Sequence, residues 1–199
     1  ANFRKVMALA IHLDVEVTVQ EVDVYSGAGQ HPSFLELNPL GQIPTLVDNG
    51  VVLSESNAIA IYLAERYGEG LLYGTNALRR AGINRWLFWE ASHWQRILAE
   101  VMGPQVGHRL LPDVVPKPEY SVDWNSVDCH KQLTFLDDAL KTEWIAGAEL
   151  SIADFCVGGM TTYFAHTEFP FSKYQNIRRW YDALNRLPSW SATLDALWA

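Results

Sequence analysis

Asn38-Pro39-Leu40-Gly41-Gln42-Ile43-Pro44-Thr45-Leu46-Val47-Asp48-Asn49-Gly50-Val51-Val52-Leu53-Ser54-Glu55-Ser56-Asn57 is the stretch that decides the fold. Asn-Pro with Gly41 close behind marks a turn. Thr45-Leu46-Val47 and Val51-Val52-Leu53 are β-prone runs on either side of Asp48-Asn49-Gly50. Asn-Gly there predicts a hairpin, because a type I′ turn needs positive φ at both central residues. Ser54-Glu55-Ser56-Asn57 supplies helix-capping chemistry, and apolar residues then recur at Ala58, Ile59, Ile61, Tyr62 and Leu63. The stretch reads as turn, strand, hairpin, strand and helix.

Pro44 is the odd residue in this pattern. Proline cannot donate a ladder hydrogen bond, so its place just after a turn and before a strand leaves two options. It is either a trans proline at a strand start or a cis proline fixing a bend. The whole run from Asn38 to Tyr67 resembles the glutathione-binding core of the cytosolic glutathione transferases, and in particular their bacterial type. That resemblance implies a cis Ile43–Pro44 bond and a Glu-Ser pair opening the next helix.

Physical chemistry gives these residues a ligand. A free N–H and C=O pair beside the proline can meet an extended peptide as an added strand. Ser56 at a helix start places a hydroxyl and unpaired amides at the positive end of the helix dipole, which suits a carboxylate. Glu55 can pair with an ammonium group. The γ-glutamyl end of glutathione, followed by its peptide, satisfies all three. The resemblance also implies that Gln42 contacts the tripeptide and that His31 reaches its glycyl carboxylate, although a solvated loop histidine serves equally well for His31.

The bulk numbers narrow the classes. A chain of 199 residues suits one large domain or two small ones. A formal charge of −8 argues against general affinity for nucleic acid or anionic membranes. No apolar run approaches the roughly 18 residues of a membrane helix. Cys129 and Cys156 suggest neither a disulfide framework nor a metal site, and fit small buried hydrophobes in a reducing cytoplasm.

Residues 3–12 read as a helix with Phe3, Val6, Met7 and Ala10 on one face, and the alternation of Val15, Val17 and Val19 predicts a strand over 15–20. A loop at 26–32 and a short helix at 33–37 follow. Gly68 ends the helix of the deciding stretch. From Ala77 onward the pattern is helical. A long helix is expected over 77–103, ended by Gly103-Pro104, and another over 123–141 with Val127, Leu133, Leu136 and Leu140 inward. Ser151 and Asp154 have the spacing of a capping box that starts a buried helix. A last helix covers 174–187, with Ile177, Trp180, Tyr181 and Leu184 on one side.

The expected architecture is a thioredoxin-like α/β domain, incomplete at its start, over 1–68. A linker at 69–76 and an all-α domain over 77–199 complete it. The resemblance implies a transferase joining the glutathione thiol to a small apolar electrophile, with glutathione as co-substrate and no metal or covalently bound cofactor. It also implies a cytoplasmic homodimer. Its activating serine would lie before Ala1. Asn2 falls where disulfide-reducing members use an asparagine, and it can equally be a helix N-cap. Trp89, His93, Trp94 and Met102, with the chain's end, are candidates for the wall of the apolar pocket, against a plain core role. Two other activities remain open at this point: a glutathione-dependent disulfide reductase and a ligand-binding protein without turnover.

Overall fold

In the computed structural model, which describes residues 1–193, the Asp48-Asn49-Gly50 turn forms as its chemistry demands. Asn49 and Gly50 take φ of 49° and 82°, the left-handed pair that lets the flanking strands keep their twist. β1 (Leu46–Asp48) and β2 (Val51–Leu53) pair antiparallel with Leu46 opposite Leu53. Before the hairpin come α1 (Asn2–His12) and the short α2 (Pro32–Leu35), and after it α3 (Ser56–Tyr67). Asp48 Oδ2 accepts hydrogen bonds from Tyr62 Oη at 2.8 Å and Tyr67 Oη at 2.6 Å. One carboxylate thus pins the hairpin to α3.

From Ala77 the elements are helical. α4 (Ala77–Trp89) runs through a π-helical turn (Glu90–Trp94) into α5 (Gln95–Leu110). α6 (Val127–Ala139), α7 (Ile152–Thr161), α8 (Gln175–Arg186) and the short α9 (Pro188–Ser191) follow. Every residue of α7 is buried, and α1, α3, α4 and α8 pack around it. Its start is the expected capping box, Ser151 N donating to Asp154 Oδ2 at 2.9 Å. Asp154 Oδ1 also accepts from Ile145 N and from Trp180 Nε1, each at 2.9 Å. Burial pushes its carboxyl up to about 6, while these donors favour the ionised form.

Three expectations need correction. Residues 15–20 are extended but form no strand: among the described residues nothing pairs with them, and Val17 and Val19 are exposed. Alternation marks a face, but a strand also needs a neighbour to bond. The long helix does not stop at Gly103-Pro104; α5 continues through Pro104 to Leu110. Gln105 Nε2 donates to the Tyr120 carbonyl at 2.9 Å and His108 Nδ1 to that of Val115 at 2.7 Å, holding the second half against the proline's missing donor. Val127 opens α6 and is 84% exposed; Cys129 takes its place in the stripe with Leu133, Leu136 and Leu140. Beyond these, α1 is buried on more than its apolar face, since Arg4 and Lys5 are each 1% exposed.

Both charges find partners. Arg4 lies 4.2 Å over the Trp190 ring and donates to Thr162 Oγ1, Thr193 Oγ1 and the Trp190 carbonyl. Lys5 Nζ donates to Asn57 Oδ1 at 2.9 Å and to Glu90 Oε1 at 3.2 Å. Asn57 Nδ2 completes the network by donating to Glu90 Oε2 at 2.8 Å and to the Leu87 carbonyl at 3.0 Å. The first helix, the start of α3 and the π turn are therefore joined by a buried ion pair.

Candidate glutathione site

The chain between α2 and β1 folds back on Asn38, which the sequence marks only as a turn residue. Its side chain is buried and donates to the Gln42 carbonyl at 2.7 Å and to Thr45 Oγ1 at 3.3 Å. It also accepts from Leu40 N at 3.1 Å. This clamp presents Gln42, Ile43 and Pro44 to an open cleft that they help to line. The Ile43–Pro44 bond is cis. Ile43 N–H and C=O enter none of the backbone hydrogen bonds among the described residues, so both remain available to a ligand.

Ser54, Glu55 and Ser56 line the same cleft. Glu55 sits in the N-cap position of α3 at φ 64° and ψ 105°, and its side chain makes no cap bond. A non-glycine residue in that conformation is uncommon, and such strain collects at ligand sites. Its carboxylate is exposed. Ser56 is the first helical residue rather than the cap, and it lines the cleft at the positive end of α3. Asn2 lines the cleft as well. It too is the first residue of its helix: Ala1 holds the N-cap position of α1 with no side-chain bond, so the capping role open to Asn2 in the sequence is not the one it has.

The cleft therefore gathers Asn2, Gln42, Ile43, Pro44, Glu55 and Ser56, together with Asn38, Leu40 and Ser54. Two helix N-termini converge on it. An anionic ligand group would be favoured at either.

Other candidates lie elsewhere. His31 does not line the cleft; it caps α2, its Nδ1 2.8 Å from Ser33 Oγ. Trp89, Trp94 and Met102 are core residues: Trp89 Nε1 donates to Gln132 Oε1, Trp94 Nε1 to the Val157 carbonyl, and the two rings stack at 5.2 Å. Met102 Sδ accepts from Thr167 Oγ1 at 3.6 Å. The helical stripe that carries them turns inward, so they line no pocket with the cleft. His93 is exposed on the π turn. The chain's end, offered as a further wall, falls at 194–199, outside the described residues. Burial raises both thiols, Cys129 and Cys156, to about 12, which leaves them protonated and unreactive.

Two family models match: the N-terminal domain of glutathione S-transferase over residues 1–65 and its C-terminal domain over 94–188. This chain belongs to the glutathione S-transferase family. Solved structures agree along almost its whole length. A poplar glutathione transferase is 27% identical, with 96% of this chain and 91% of that one covered at a TM-score of 0.83. A delta-class glutathione transferase of Nilaparvata lugens is 29% identical, covering 98% and 89% at 0.81. One from Bombyx mori is 25% identical, covering 97% and 87% at 0.84. The family fold, a thioredoxin-like domain with a small sheet followed by a helical domain, is the one described above.

Neither the clamp role of Asn38 in the candidate cleft nor the Lys5–Asn57–Glu90 network behind α1 and α3 was legible in the sequence. Asn38 gave the signal of a turn, and Asn57 the signal of a cap. Polar residues at helix positions that face inward were the clue to the network.

Proposed function

We propose that the cleft binds glutathione and that the protein transfers its thiol to a small apolar electrophile. What supports this most is the meeting, in one cleft, of Ile43's free backbone pair with Glu55 and Ser56 at the start of α3. The γ-glutamyl carboxylate sits at Ser56 and the amide end of α3, the ammonium group at Glu55, and the cysteinyl backbone along Ile43. Gln42 contacts the tripeptide from the same wall. The glycyl end lies toward Leu40, and His31 is not needed.

The chemistry then follows from position and charge. A free thiol of pKa about 8.5 is mostly protonated at neutral pH, while the thiolate is the nucleophile. With its γ-glutamyl end fixed at α3, glutathione brings its sulfur toward Asn2 and the positive end of α1. That field, with the Asn2 amide as a hydrogen-bond donor, favours the thiolate. The thiol proton passes to solvent. The thiolate attacks the electrophilic carbon, a sulfur–carbon bond forms, and the leaving group departs with the electron pair of its bond. No metal or redox step enters.

A division into 1–68, linker 69–76 and 77–199, a homodimer and a cytoplasmic setting belong to the same proposal. Among the described residues no helix is long and apolar enough to cross a membrane. Sedimentation equilibrium tests the dimer: a single species at twice 22.5 kDa is expected, and a monomer at all concentrations contradicts it.

Turnover decides between the activities. The full chain should conjugate an aryl halide with glutathione, and Asn2→Ala should lower kcat/KM by about tenfold or more. Reduction of a glutathionyl disulfide without conjugation would instead indicate the reductase. Binding without either would indicate a ligand carrier.

A further inference from the structure

Two glycines meet main chain to main chain behind the cleft wall. Gly29 is buried in the short 3-10 turn Ala28–Gln30, and Gly41 closes the turn that begins at Asn38, with φ +64°. A Cβ on Gly29 would run into the carbonyl oxygen of Gly41. A Cβ on Gly41 would lie 2.6 Å from the carbonyl oxygen of Gly29. Both opposing atoms are backbone, so no side-chain rotation relieves the clash.

The two positions differ in a useful way. Gly41 needs its glycine partly for its left-handed φ, whereas Gly29 is not among the positive-φ glycines. At Gly29 the close approach alone excludes a side chain.

The contact has a hydrogen-bonded segment on each side. The loop before Gly29 is braced on Asp23, whose Oδ1 accepts from Tyr25 N and Ser26 N and whose carbonyl accepts from Ala28 N. Beyond the contact, Gly41 N donates to the Asn38 carbonyl at 2.8 Å, and the Asn38 side chain holds Gln42 and Thr45. A push at Gly41 is therefore carried into Gln42, Ile43 and Pro44. Those residues must stand at a fixed distance from Ser56 if one ligand is to reach both walls.

We propose that Gly29 and Gly41 are positioning residues that set the separation of the Ile43 wall from the start of α3, and through it the affinity for the tripeptide. This rests on the glutathione reading above. The loop at 23–30 touches no ligand in this scheme; it acts by holding the wall.

The test compares Gly29→Ala with Gly27→Ala. Gly27, at φ +90°, has nothing within 4 Å of a Cβ, so its substitution strains the same loop without touching the wall. Calorimetric titration with glutathione should give a Kd about tenfold higher for Gly29→Ala and a change within about twofold for Gly27→Ala. Amide exchange in the ligand-free proteins should quicken at residues 41–43 in Gly29→Ala alone. Should Gly29→Ala fail to fold, Gly41→Asn approaches the contact from the other side, because asparagine tolerates a left-handed φ; its Kd should rise likewise. Folded Gly29→Ala that binds as the parent does, or Gly27→Ala that loses as much, overturns the positioning role while the parent still binds. A parent that takes up no glutathione overturns the reading beneath it, and the proposal with it.

Discussion

Glu55 holds a backbone conformation, φ 64° with ψ 105°, that glycine adopts more easily than glutamate does. The strain serves no cap, because the side chain makes no bond to α3. Glu55→Gly should therefore stabilise the fold by about 1 kcal/mol, read as a rise in Tm, while glutathione affinity falls. Loss of stability in that variant would show that the conformation is not strained. A second residue, Asp154, is set by its four donors. An asparagine in its place would turn an amide N–H₂ toward donors that now point at a carboxylate oxygen. Asp154→Asn should cost about 2–4 kcal/mol in urea unfolding. The same carboxyl gives a pH signature. Its folded pKa, raised to about 6, means the native state binds the proton first as pH falls, so this group's contribution to stability grows from pH 6 down toward 4 and is lost as pH rises through 6. Parent and Asp154→Asn unfolding curves should differ in slope over that window, and parallel curves would contradict the assignment.

The elements show what a sequence can and cannot disclose. The hairpin, α3 and the capping box of α7 were legible because each rests on local chemistry: an Asn-Gly turn, a polar cap, a three-residue spacing. The 15–20 strand was misread because pairing is not local, and alternation is silent about whether a partner lies alongside. The same holds for α1. Its buried Arg4 and Lys5 look like a solvated start to a helix until α7, α9 and the π turn close over them. At the site, Ile43, Glu55 and Ser56 stood close enough in sequence to be read together, whereas Trp89, Trp94 and Met102 could be placed in the core only once the long helix's inward face was known. The buried Lys5–Glu90 pair carries its own prediction. Lys5→Met leaves a carboxylate buried without its cation and should destabilise by about 3–5 kcal/mol. Pairing it with Glu90→Gln should recover much of that loss, giving a clear coupling energy in a double-mutant cycle. Simple additivity would mean that the pair does not act as one unit.

At the scale of the whole molecule, the first helix and the start of α3 meet the π turn through that network, so the cleft is held partly from the helical half of the chain. Both helix N-termini lie at the cleft, and the reaction proposed above depends on one prior event, the seating of glutathione between Ile43 and Ser56. The most direct measurement is calorimetric titration of the full chain with glutathione, beside Ser56→Ala and Glu55→Gln. Saturable binding by the parent, weakened about tenfold or more in each variant, is the predicted result. Parent and variants that bind alike, or a folded parent that does not bind at all, would contradict it.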